Sequence, residues 1–246
     1  MRWRATDGMT GLAKHLARGV DVRCSCRVSS LRPSGGRWIA AIEPNGGGGE
    51  ELVADAIVLT APVPQALALL AAGGTELGAA DRDALGAIDY DPCLAVLAPL
   101  DSAWCLDPPG AIRPDSHSLA WVADNALKGV SSAPALTLHA TAPASRSMWD
   151  ADDAVVAREL LAAAAAAMGG VAPDVDHRAV QVQRWRFSIP TVLSPHPCLE
   201  ASGLPPLVFA GDAFGGPRVE GAVRSGWAAA GALHDRLAGG GGQRSV

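Results

Sequence analysis

The sequence predicts an α/β protein with a second, α+β layer, and three features carry that expectation. Apolar runs at Ala56-Ile57-Val58-Leu59 and Val208-Phe209-Ala210 suit strands buried on both faces of a parallel sheet. Each run leads through a turn into a helix of small apolar residues, at 65–72 and from Val219. From about 90 to 187 the texture changes to strand-like stretches separated by Pro-rich loops. Residues 1–62 and 200–246 are therefore assigned to one domain, and 63–199 to a second with a mixed sheet and helical cover.

The elements follow in chain order. Gly8-Met9-Thr10 opens a short amphipathic helix with Met9, Leu12, Ala13 and Leu16 on one face, ended by Gly19. Residues 20–31 predict a strand, and 37–43 another with Trp38 and Ala40 on one side. The glycine tract 45–49 lies between strands, so it predicts a hairpin connection rather than a phosphate cradle. The strand at 54–60 ends in Thr60-Ala61-Pro62, a candidate site wall, because ligands collect at the carboxyl ends of such strands. Further strands are expected at 93–100, 118–123, 136–140, 180–187 and 204–210. The helix at 152–168 has acidic residues in its first turn and stops at Gly169-Gly170.

Composition narrows the function classes. The 246 residues are 49% hydrophobic and 18% charged, which predicts a folded globular chain. A formal charge of −5 argues against nucleic-acid and anionic-membrane surfaces. No signal-peptide core or membrane-length apolar run is present, so a cytoplasmic location is expected. Five cysteines do not suggest a disulfide framework. Cys24-Ser25-Cys26 would put two thiols on one strand face, but no further ligand lies at metal spacing. Buried small residues and no metal site are the expectation there.

The stretch 207–230, LVFAGDAFGGPRVEGAVRSGWAAA, carries the most chemistry. Gly211 lets the backbone approach a ligand with no Cβ in the way. Asp212, just past the strand, can accept hydrogen bonds from sugar-like hydroxyls, which would offset its desolvation. The helix from Val219 aims unpaired N–H groups and a positive dipole end outward, while Ala222, Gly226, Ala229 and Ala230 keep one face small. The competing interpretation is an ordinary strand–turn–helix in which Asp212 caps a helix or pairs with Arg218.

The same string is similar to the C-terminal FAD motif of the amine oxidase, phytoene desaturase and renalase group of flavoproteins. Gly8-Met9, a strand with Val28, AIVLTAP at 56–62, Trp121-Val122-Ala123-Asp124-Asn125 with Lys128, LTLHA at 136–140, Ser145 and RWRFS at 184–188 fall in matching order. Together they look most like the bacterial renalase-like branch. The resemblance implies a two-domain FAD/NAD(P)-binding fold and an FAD-dependent oxidoreductase. It implies that Gly211 and Asp212 meet the ribityl–pyrophosphate region and that Val28 touches adenine through its backbone. Thr60, Ala61 and Pro62 would lie near the cofactor. Val219, Glu220 and Gly221, with Arg218 before them, would face the flavin pyrimidine edge, where a helix dipole stabilises negative charge. The alternative role for Glu220, as a first-turn helix residue, is only to complement that dipole.

On the substrate side, Trp185 alternates with Arg184 and Arg186 and so points to the opposite strand face. Trp185 and Phe187 either line a pocket or fill a core. Trp121 and His139 sit in strands of the same sheet, and His139 suits a satisfied buried histidine better than a catalytic base. No catalytic side chain is named, since hydride transfer to flavin needs mainly a substrate carbon held in place. The renalase-like resemblance implies small-molecule substrates, reduced nicotinamide dinucleotide isomers, with oxygen as acceptor. An amine or hydrophobic substrate is the alternative.

Members of this group open with strand–GxGxxG–helix. Gly8 and Gly11 precede a helix but follow no strand, and Gly73-Gly74 and Gly169-Gly170 end helices. The expectation is a fold truncated at its first βαβ unit. Strand edges would then be left to a missing segment or to a GxGxxG-bearing partner chain. A split subunit or a non-catalytic remnant are the remaining alternatives.

Overall fold

The computed structural model describes residue 8 and residues 10–43, 49–104, 106–175 and 179–240. Met9 and positions 45–48 of the glycine tract lie outside the described residues. The fold is α/β. Its compact units are Met1–Val22 with Asp91–Ser188, and Arg23–Tyr90 with Ile189–Val246.

The first of these units is built on a five-stranded sheet in the order β6-β7-β8-β5-β9. Its strands are β5 (Asp89–Pro99), β6 (Ala111–Ile112), β7 (Leu119–Asp124), β8 (Ala135–Ala140) and β9 (Gln181–Val192), of which β5 and β9 run on past the unit boundary. Alternation gives the sheet two chemically distinct faces. Leu94, Val96, Val122, Leu136 and Leu138 pack with Val156, Leu160 and Ala164 of α5 (Asp153–Ala167) in one core. Arg184 and Arg186 also point to the helical side. Arg184 Nε donates to Trp149 O at 3.1 Å, and the Arg186 guanidinium lies 4.8 Å from the Trp149 ring centre. Trp185 points the other way and is 55% exposed, so it fills no core.

α4 (Ala142–Ser147) starts at Thr141, whose hydroxyl accepts the Ala144 N–H. The helix carries buried Ser145, whose Oγ accepts the Leu94 N–H at 3.0 Å. α1 (Thr10–Leu16) forms where its periodicity places it, but none of its residues is buried. Its apolar face, Leu12 and Leu16 included, is exposed rather than packed.

The second unit has an antiparallel meander, β1 (Val28–Ser34), β2 (Arg37–Ile42) and β3 (Glu50–Ala54). The β2–β3 pairing gives the hairpin expected around the glycine tract. Trp38 is fully buried and donates its indole N–H to Pro206 O at 3.1 Å. The strand expected over 20–31 forms only from Val28. Residues 24 and 25 make a turn with Ser25 at φ 57°, which breaks an extended run, and Cys24 and Cys26 are exposed rather than buried.

A second sheet has the order β10-β11-β4, from β10 (Leu199–Glu200), β11 (Leu207–Phe209) and β4 (Ile57–Leu59). β11 and β4 are parallel, with Leu207, Val208 and Phe209 opposite Ile57, Val58 and Leu59. Strand β11 is wholly buried. Val58 is 39% exposed, because β4 is an edge strand among the described residues rather than one covered on both faces.

α2 (Val63–Ala72) packs on β1, and its C-terminal Gly73 is required by that approach. A Cβ there would meet Leu31 O at 2.0 Å. Helices α3 (Ala79–Gly86), α6 (Asp212–Gly215) and α7 (Val219–Gly240) complete the unit. In α7 the buried face is Gly221, Ser225 and Ala229, whereas Gly226 and Ala230 are exposed. The stripe is set by i, i+4 spacing and differs from the small-residue face read from sequence. No helix among the described residues is long and apolar enough to cross a membrane, and no cluster of three or more of their His, Cys, Asp and Glu side chains is arranged to hold a metal ion.

Candidate functional site

The candidate cofactor residues all lie in the second unit: Thr60, Ala61 and Pro62 follow the carboxyl end of β4, Gly211 and Asp212 follow that of β11, Val28 opens β1, and Arg218, Val219, Glu220 and Gly221 form the entry to α7. The Ala210 N–H continues the parallel ladder onto Leu59 O at 3.0 Å. Gly211 then turns at φ 139°, a conformation L side chains rarely adopt, with Thr60 O 3.6 Å from where its Cβ would stand. Its N–H is donated to Ser225 Oγ at 2.9 Å, and Ser225 is itself fully buried on α7. Thr60 and Gly211 therefore stand side by side because their strands are in parallel register.

Asp212 opens α6 behind Gly211. Burial is the main influence on its carboxyl and raises its pKa, while backbone N–H groups of Ala213 and Asp212 itself pull the other way. No ion pair joins it to Arg218. A partly desolvated carboxylate held only by backbone donors retains acceptor capacity for hydroxyl groups. The chain next runs through Gly215 to α7 at very close approach. A Cβ on Gly215 would meet Gly221 O at 1.8 Å, so both positions need glycine. Val219 and Glu220 in the first turn of α7 are exposed, and Glu220 Oε1 accepts from Arg224 Nη2 at 2.9 Å in an i, i+4 ion pair.

Thr60-Ala61-Pro62 leads into α2, whose first N–H, at Val63, is donated to the Tyr90 hydroxyl at 3.2 Å. Tyr90 is buried. Desolvation raises its phenol pKa, the Val63 bond opposes this, and the negative charge of Asp212 adds to the rise. The phenol thus stays protonated within electrostatic reach of Asp212. Val28 and Ala61 meet in one cavity of about 350 Å³, together with Arg27, Ser29, Glu43, Gln65, Ala68 and Leu69. Arg27 Nε and Glu43 Oε1 form an ion pair at 3.5 Å on its wall.

The three substrate-side candidates belong to the first unit, on the sheet face away from α5. Trp121 and His139 are direct cross-strand partners of β7 and β8, and His139 is also opposite Ala95 of β5. Burial lowers the His139 pKa, and the positive charge of Lys128 lowers it further, so the imidazole is held neutral. The Arg113 guanidinium lies 5.7 Å from the Trp121 ring centre. Asn125, in the turn just past β7, donates from Nδ2 to Thr137 Oγ1 of β8 at 2.9 Å. Trp185 stands on this face at β9.

Sequence reading missed Ser225, Tyr90, Arg27, Glu43 and Gln65 as members of these sites. Ser225 had a signal, since it lies inside the string at 207–230. Tyr90 had none, because its partner Val63 is 27 positions away and no local pattern links them.

The fit to a dinucleotide flavin rests on the positive-φ glycine at 211, the carboxylate at 212 that lacks a cationic partner, and the cavity that joins Val28 to Ala61. Such residues would hold hydroxyl, phosphate and adenine groups. A comparison with curated proteins finds no match. A family model described as "Flavin containing amine oxidoreductase" matches residues 1–234. With that match over nearly the whole chain, this α/β protein belongs to the flavin-containing amine oxidoreductases, which are FAD-dependent oxidoreductase enzymes.

Proposed function

We propose that this chain is a renalase-like enzyme that oxidises reduced nicotinamide dinucleotide isomers, with oxygen as the final electron acceptor. FAD, when bound, supplies the hydride acceptor. Val28 and Ala61 would hold its adenosine end, Gly211 and Asp212 its ribityl–pyrophosphate region, and the first turn of α7 its pyrimidine edge. Thr60, Pro62 and Arg218 would line the same site.

One observation favours this substrate class over a protonated amine. The Trp121–His139 pair, with a neutral imidazole, lies among the positive charges of Arg113 and Lys128. A flat ring would stack on Trp121 beside Arg113, and a phosphate-bearing substrate would be attracted where an ammonium would be repelled. His139, whose pKa is held below the usual histidine range by burial and by the Lys128 charge, is suited to offer its unprotonated ring nitrogen as a hydrogen-bond acceptor rather than to carry charge.

Oxygen uptake by FAD-loaded protein tests the reading. The isomers should turn over and primary amines should not, and Arg113→Ala with Lys128→Ala should raise KM for the isomers about tenfold or more, a loss of about 1.4 kcal/mol in binding. Turnover of amines alone would overturn it.

The edge position of β4 supports a further element of the proposal. A parallel strand from a GxGxxG-bearing segment would add there and complete the pyrophosphate site. Co-expression with such a segment should raise the flavin content of the purified protein, and an unchanged content would count against it.

A further inference from the structure

Cys24 and Cys26 are free, exposed and separated only by Ser25. Among the described residues Ser25 is the one non-glycine position with positive φ, at 57°. A residue with a side chain and such a φ is confined to the left-handed helical basin. The separation of two Cα atoms flanking a residue depends on the φ and ψ of that residue alone. A left-handed turn mirrors an α-helical one, so the i, i+2 distance follows from a 2.3 Å radius and 1.5 Å rise and is about 5.4 Å.

Disulfides span Cα separations of about 4.4–6.8 Å, most often about 5.5–6 Å. An extended strand would set the same two cysteines at about 6.6–6.8 Å, at the limit of that range. Neither cysteine belongs to a helix or strand, so no ladder opposes rotation of the two Cβ atoms toward each other. The turn is tied at both ends, by Arg23 Nη1 to Glu50 Oε1 at 3.0 Å and by Glu43 N to Arg27 O at 2.8 Å. It leads directly into Arg27, Val28 and Ser29 of the cavity wall.

We propose that Cys24 and Cys26 are a dithiol–disulfide pair, closed by exchange with a small-molecule disulfide and placed on the chain that enters the cavity wall. One cysteine thiolate attacks a sulfur of the oxidant, breaking its S–S bond and releasing one thiolate. The second cysteine thiolate attacks the resulting mixed disulfide, forming the protein S–S bond and releasing the second thiolate. Two electrons pass from the dithiol to the oxidant, and the two thiol protons end on the two released thiols.

The test treats the full chain with oxidised glutathione, alkylates remaining thiols and maps peptides by mass. Cleavage after Arg23 and Arg27 isolates both cysteines in one short peptide. That peptide should be lighter by two hydrogens and carry neither alkyl group nor glutathione. Cys24→Ser should instead retain a stable glutathione adduct on Cys26. Ser25→Gly should close as the native chain does. Ser25→Val, whose β-branched side chain disfavours positive φ, should close about tenfold more slowly. Stable adducts or free thiols on the native pair, or bonding of either cysteine to Cys198, would overturn the proposal. So would equal closure rates for Ser25→Gly and Ser25→Val.

Discussion

Ser225 Oγ on α7 accepts the Gly211 N–H at 2.9 Å, fixing the turn after β11 to the helix that follows it. Ser225 is fully buried, so its loss leaves a donor without a partner in a desolvated place. Ser225→Ala should cost about 1–3 kcal/mol by urea denaturation and should lower flavin content as well. An unchanged denaturation midpoint would mean the turn is held by other contacts.

Glycines five positions apart on α7 should respond in opposite directions. A Cβ on Gly221 would meet Gly216 O at 2.3 Å, whereas one on Gly226 meets nothing within 4 Å. Gly221→Ala should destabilise by about 3 kcal/mol or more, the upper end of overpacking costs. Gly226→Ala should stabilise by about 0.5–1 kcal/mol through helix propensity. Equal effects by urea denaturation would remove the close α6–α7 approach from the account.

Asp212 gives a pH-dependent signature. Its carboxyl pKa is raised in the fold above 3.8, so the folded state holds the proton more tightly than the unfolded one. Stability therefore falls as pH rises through that window, and the penalty persists at neutral pH. In flavin-free protein, Asp212→Asn should raise Tm at pH 7, and the difference should close as pH falls toward 3.8. A lower Tm for the variant at pH 7 would show that the carboxylate is stabilised rather than desolvated.

The imidazole of His139 predicts the opposite slope. Its pKa lies below 6.5 through burial and the Lys128 charge, so the unfolded chain binds the proton more readily. Stability contributed by the neutral ring is lost as pH falls below 6.5 and through the lowered value. Lys128→Met should move the His139 titration, followed by NMR, back toward 6.5. No movement would separate Lys128 from the Trp121–His139 pair.

Much of this was legible in the chain because it depends on local pattern. The apolar runs at 57–59 and 207–209, the Gly-Asp turn and the helix from Val219 each carry their own period or punctuation. α5 is likewise announced by its acidic first turn and by Gly169-Gly170. What was hidden depends on partners distant in sequence. The Tyr90 hydroxyl meets Val63, and Thr75 Oγ1 donates to Leu31 O across 44 positions. The strand expected over 20–31 failed because one left-handed residue, Ser25, interrupts an otherwise strand-like composition. The exposure of Val58 follows from its strand standing at a sheet edge, which no run of apolar residues records. The helices α3 and α4 are short, at 8 and 6 residues, and too brief for periodicity to mark them.

The central claim is that the turns after β4 and β11 bind FAD through Gly211 and Asp212. It is tested most directly by incubating native protein and Asp212→Ala with excess FAD, removing unbound flavin by gel filtration, and reading visible flavin absorbance against protein. The native chain should retain flavin, and Asp212→Ala, still folded by circular dichroism, should retain about tenfold less, a loss of about 1.4 kcal/mol. Equal flavin content in the two proteins would contradict the account.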